Sequence, residues 1–112
     1  MRLRNIPGAD EVVSNSPFCI TNPIENRGSW ASYFGNTNPI HIEIGMGKGQ
    51  FLLTLAKQNP DINYIGIERY SAVLLRALEK FDTEEYCELK NIRFICMNSI
   101  DLSEVFAMGV LR

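Results

Sequence analysis

From Ile40 to Met97 the apolar residues switch repeatedly between two periods, and that alternation restricts the chain to few folds. Ile40, Ile42 and Ile44 alternate with His41 and Glu43 between Pro39 and Gly45, the period of a strand. In residues 49–58, Phe51, Leu52, Leu55 and Ala56 fall on one helical stripe, which Pro60 closes. Residues 62–67 read as a second strand. Leu74, Leu75, Leu78 and Phe81 give a second helical stripe, with Ser71 expected as its N-cap. Residues 92–97 are a near-continuous apolar run, as in a strand covered on both faces, and Cys96 within it is expected to be a buried small hydrophobe. Ser103 is expected to cap a third helical turn with Val105 and Phe106. Strands alternating with helices imply an α/β fold: a parallel sheet with right-handed crossovers, of which three strands make the first half of a doubly wound sheet.

Before Ile40 the pattern is weaker. Residues 1–28, rich in Asn, Pro, Ser and Gly, show no period and read as an irregular N-terminal arm; residues 29–112 form the domain proper. Trp30, Tyr33 and Phe34 suit one face of a short helix ended by Gly35-Asn36, its aromatics packing the arm onto the core. The length of 112 residues fits one domain, and 46% apolar with 21% charged residues excludes a disordered polyelectrolyte. A net charge of −2 supplies no basic block for nucleic acid but leaves a local patch open. The acidic stretch 82–88 reads as a solvated loop or helix end. No apolar run approaches a membrane span, and no apolar segment follows Met1-Arg2-Leu3-Arg4 as a secretory signal requires. Cys19, Cys87 and Cys96 form no C-x-x-C pair, which argues against a zinc site or disulfide framework. The expected compartment is the cytoplasm.

The chemistry concentrates in Glu43-Ile44-Gly45-Met46-Gly47-Lys48-Gly49-Gln50-Phe51. Three alternating glycines stand where a strand becomes a helix, so the backbone can take positive φ and a ligand can approach it. That turn lies at the carboxyl end of a strand, where open α/β sheets bind ligands. A Walker-A loop would need glycine at position 42 and a hydroxyl after Lys48, and has neither. A dinucleotide fingerprint fails too: counted from Gly45 its third glycine is Gln50, and from Gly47 it is Leu52. Glu43 beside the turn would repel pyrophosphate but attract a cation such as S-adenosylmethionine; it could equally pair with Lys48 or Arg69. Glu68 ends the second strand, about where such folds hold ribose hydroxyls. Asn98 follows the third strand, where an amide can read an adenine edge. Each acid or amide alone has a plain structural use, but three polar groups at successive strand tips are hard to explain without a ligand. His41, the one histidine, is expected to be structural.

Phe34-Gly35-Asn36-x-Asn38-Pro39, Glu43-Ile44-Gly45-x-Gly47-Lys48-Gly49-x-Phe51, Gly66-Ile67-Glu68 and Asn98-x-x-Asp101-Leu102 resemble the bacterial tRNA (guanine 7-nitrogen) methyltransferases. The resemblance covers about residues 30–108. It implies a Rossmann-like S-adenosylmethionine methyltransferase fold that methylates guanine in the tRNA variable loop. It also implies that Glu43, Gly45 and Gly47 line the methionine end, Glu68 the ribose, and Asn98 with Ser99 the adenine. Members of that family continue through further strands that carry an Asp-Pro-Trp-Pro-like motif and the tRNA contacts. On the resemblance, this chain is expected to be an N-terminal portion with an unpaired sheet edge, inclined to self-association and inactive alone. Another S-adenosylmethionine methyltransferase, a nicotinamide-dinucleotide module and a non-catalytic interaction domain remain as alternatives.

Overall fold

The computed structural model describes residues 8–47 and 49–97. Three strands, β1 (Ile40–Ile44), β2 (Asn63–Glu68) and β3 (Ile92–Cys96), form a parallel sheet in the order β1-β2-β3. Ile42 lies beside Ile65, and Ile67 beside Ile95. The crossovers carry α3 (Gln50–Gln58) and α4 (Ser71–Phe81). This is the parallel βαβ core read from the alternating periods. Every residue of β2 is buried, as a central strand covered on both faces requires.

The strand period of two divides the core into two layers. Tyr64, Ile92 and Phe94 face α3 and α4, where they pack with Leu52, Leu53, Ala56, Leu74, Leu78 and Phe81. Ile42, Ile65, Ile67 and Ile95 point the other way, against Trp30 of α2 (Trp30–Phe34). Gly35, at φ 76°, ends α2 in the left-handed conformation that favours glycine. Two buried amides join the layers to their connections. Asn91 Nδ2 donates to the carbonyls of Ala56, Asn59 and Ile62 at 2.9, 3.1 and 2.9 Å, closing the end of α3. Asn63 Nδ2 donates to Asn36 Oδ1 at 2.7 Å, tying the turn after α2 to the start of β2.

Several expectations are corrected. The arm is not irregular throughout: α1 (Ala9–Asn15) buries Ala9 and Val13 one turn apart, and residues 23–26 form a 3₁₀ turn. Two buried positions are too few to register as a period in sequence. Ser71 is the first residue of α4 and not its cap; Tyr70 holds that position. Phe51 is 64% exposed and Leu53 is fully buried in its place, because α3 presents the Leu52–Leu53–Ala56 side to the sheet. Ala77 joins the buried face of α4, whereas Leu75 is only half-buried. Cys96 closes β3 and is exposed, since the strand emerges from the core there. The acidic stretch is the solvated turn expected, with Asp82, Glu84, Glu85 and Glu88 exposed and Tyr86 buried within it. Ser103, Val105 and Phe106 lie outside the described residues.

Candidate functional site

The site is built where β1 ends and α3 begins. Gly45, Gly47 and Gly49 all have positive φ, at 67°, 61° and 78°. Amides of Gly45 and Met46 both donate to the Ile67 carbonyl, at 2.9 and 3.1 Å, and pin the turn over the tip of β2. Met46 then lies over Gly66, where an added Cβ would sit 2.7 Å from Leu52 Cδ2 and closer still to the Met46 sulfur. Gly66 is therefore bare so that the turn can fold down onto the sheet. Beside Gly45 and Gly47 there is open space where side chains would project.

Glu68 is the centre of the arrangement. It is buried, and its carboxylate accepts the Gly47 amide at Oε1 and the Tyr70 amide at Oε2, both at 3.1 Å. One acid thus fixes both the glycine turn and the entry to α4. Each oxygen keeps a further lone pair for a ligand. Together with Ile44, Gly45, Ile67, Arg69, Tyr70 and Met97, it lines a hollow of about 240 Å³ at the carboxyl ends of the strands. A larger groove of about 600 Å³ lies between α1 and α4, far from the glycine turn, with walls that include Val12, Phe18, Leu75 and Leu78. The smaller hollow is the candidate site because the positive-φ backbone and the buried carboxylate converge there.

The structure brings Gly45, Gly47 and Glu68 together. Glu43 lies beside Gly66 in the sheet, and among the described residues its ionic contact is with His41 Nε2, at 3.5 Å; neither it nor Gly47 is among the residues that line the hollow. Arg69 is not the partner of Glu43; that guanidinium lies 5.4 Å from the centre of the Tyr70 ring. Lys48, Asn98, Ser99 and Asp101 lie outside the described residues. Sequence reasoning missed three contributors: the Tyr70 amide, the Met46–Gly66 contact and the Asn36–Asn63 latch. Only the last had a signal, the Asn-x-Asn-Pro lead-in.

Cys96 is exposed by surface area, but partial burial of its thiol raises its pKa, helped by the negative charges of Asp10 and Glu68. Burial also pushes the Cys19 thiol up to about 11, against a smaller opposing effect of its hydrogen bond with Ser16. Both thiols stay protonated near neutrality, which makes them poor nucleophiles. Among the described residues no group of His, Cys, Asp and Glu could hold a metal ion.

A glycine turn stapled to a buried acid at the tips of parallel strands defines an α/β protein with a candidate ligand cleft at its strand ends. The family described as "Putative methyltransferase" matches residues 37–112, and the chain belongs to it. A tRNA (guanine-N(7)-)-methyltransferase of Lachnoclostridium phytofermentans is 54% identical over 96% of this chain and 49% of its own length. Proteins of the same description from a Geobacillus species and from Bacillus subtilis are 51% and 43% identical over the whole chain and 50% and 52% of their lengths. The chain spans about half the length of the curated relatives it matches. The crystal structure of the antibiotic-resistance methyltransferase Kmr shares the fold, with a TM-score of 0.51 at 19% identity over 64% of this chain and 37% of that one.

Proposed function

We propose that this chain supplies the cofactor cleft of a tRNA (guanine-N7)-methyltransferase that uses S-adenosylmethionine. The carrying observation is Glu68, a buried carboxylate held against the Gly47 amide with acceptor capacity to spare. That site fits a ligand with vicinal hydroxyls and no phosphate. A pyrophosphate would meet the Glu68 charge in the same hollow. S-adenosylmethionine, when bound, supplies a methyl group on a positively charged sulfur. Glu68 would hold its ribose hydroxyls, and Gly45 and Gly47 would admit its methionine end. We assign Glu43 to the same end, and Asn98 with Ser99 to the adenine. Ile44, Ile67 and Met97 give the hollow an apolar wall.

The acceptor follows from the relatives, whose names specify the guanine 7-nitrogen of tRNA. That nitrogen has an unshared pair and no proton, so no side chain need act as a general base. Glu43 and Glu68 contribute position and negative charge. Calorimetric titration with S-adenosylhomocysteine tests the cleft: binding is expected, and Glu68→Gln should weaken it about tenfold or more. Uptake of NAD with indifference to S-adenosylhomocysteine would overturn the reading. For the acceptor, the coding sequence in its native gene is deleted and tRNA nucleosides are analysed. Loss of 7-methylguanosine is expected, and its persistence refutes the assignment.

A further inference from the structure

Met46 is held at three points. Its N–H donates to the Ile67 carbonyl at 3.1 Å, and its own carbonyl accepts the Gly49 N–H at 3.2 Å. The third point is the side chain, which is partly buried and packs against the core that α3 and α4 share with the sheet. Two glycines make its seat. A Cβ on Gly66 would run into the Met46 sulfur, and a Cβ on Gly49 would sit 3.0 Å from the Met46 methyl carbon and 3.0 Å from Ala77 Cβ. Leu52 Cδ2 closes the seat, 2.7 Å from where the Gly66 Cβ would be. Met46 thus meets β2 at Gly66 and the start of α3 at Gly49, with Ala77 of α4 behind. An unbranched thioether suits such a slot, because it bends to an irregular gap. The next residue is Gly47, whose N–H donates to Glu68 Oε1 at 3.1 Å.

We propose that Met46 is a positioning residue of the cofactor cleft: its side chain, seated between Gly49 and Gly66, sets the height at which the Gly47 amide meets Glu68. This rests on the reading of the hollow as a cleft for S-adenosylmethionine. Gly45 and Gly47 have no side chains to pack, so among the described residues of the turn Met46 is the one that anchors it from below. The Gly47–Glu68 bond, at 3.1 Å, stands near the long end of the ordinary range for N–H···O bonds. A rise of a few tenths of an ångström in the turn therefore weakens it. Glu68 would then be held by the Tyr70 amide alone, at its other oxygen. A carboxylate tethered at one oxygen is a less fixed acceptor for two vicinal hydroxyls, and ordering it on binding subtracts from affinity. Met46 acts on the ligand only through Gly47 and Glu68.

The test uses the protein as its native gene encodes it. In NMR the Gly47 amide proton should move upfield in Met46→Ala, as it should in Glu68→Gln, while the β3 resonances stay in place. In calorimetry Met46→Ala should raise the dissociation constant for S-adenosylhomocysteine about tenfold, and Met46→Leu, close in volume, should recover most of the loss. In turnover the same change should appear in KM for S-adenosylmethionine, with kcat and the KM for tRNA within about twofold, a split that loss of folded protein does not produce. Gly66→Ala should also weaken binding, by expelling the Met46 side chain. Combined with Met46→Ala it should weaken binding by less than the product of the two single effects, since the added methyl enters the space that the shortened side chain vacates. An unmoved Gly47 amide in Met46→Ala, unchanged affinity for S-adenosylhomocysteine in that variant, or single effects that simply multiply would each overturn the proposal. Were the unaltered protein indifferent to S-adenosylhomocysteine, the cleft reading would fall, and the Gly47 amide would still decide whether Met46 sets its bond to Glu68.

Discussion

The two edges of the sheet are treated in opposite ways. At β3 the arm lies alongside the strand: Phe94 N–H donates to the Phe18 carbonyl at 2.9 Å, and Ile20 N–H donates to the Phe94 carbonyl at 2.8 Å. Phe18 then stacks edge-on against Phe81, with ring centres 4.4 Å apart. At β1 no described segment does the same. An edge presents unpaired backbone groups to any strand that fits. The contrast teaches that this chain spends its own N-terminal residues on the edge remote from the glycine turn, while none of the described residues covers the edge that leads into it.

The largest effect tests the closed side. Phe94 is fully buried beneath the Phe18–Ile20 cover, and Phe94→Ala should lower unfolding free energy by about 3–5 kcal/mol in a denaturant titration. A loss below about 1 kcal/mol would break the picture of a tightly covered edge. A sharper test sets proline at matched positions. Ile20→Pro removes the donor to Phe94 and should cost about 1–3 kcal/mol, whereas Ile44→Pro should cost the isolated chain under about 1 kcal/mol. Equal losses would erase the distinction between the edges.

Alkaline titration gives a smaller effect at the same place. Cys19 is buried under the covered edge, and its folded pKa is raised from 9.0 to about 11. The unfolded thiol ionises first, so this contribution to stability is intact below 9.0 and is lost as pH rises toward about 11. Cys19→Ala should flatten that slope in unfolding measured across the same range. The smallest effect belongs to Phe51, in the first turn of α3. Being 64% exposed, its change to Ala should move stability by no more than about 0.5 kcal/mol. A larger loss in dilute chain would mean that Phe51 is covered in solution.

How much was legible depends on range. The glycine turn and Glu68 could be found by reading because each signal is local: a strand period breaks into alternating glycines, and an acid ends the next strand. Glu43 was placed with them by its spacing; it shares the pleat face of Gly66 and Glu68, and its described ionic contact is with His41. Phe51 and Leu53 show the limit of such reading in a helix. Both are apolar, and only the direction in which α3 meets the sheet selects Leu53 for the core.

By itself the sequence determined the order of strands and helices, the parallel sheet and the glycine turn, because these follow from hydrophobic period and from the φ that glycine alone takes at no cost. Tertiary structure decided the rest: which edge the arm covers, how Asn91 closes α3 from thirty-odd residues away, and that one carboxylate staples both Gly47 and Tyr70. Those contacts join residues distant in the chain, and no local pattern records a partner that only folding brings near.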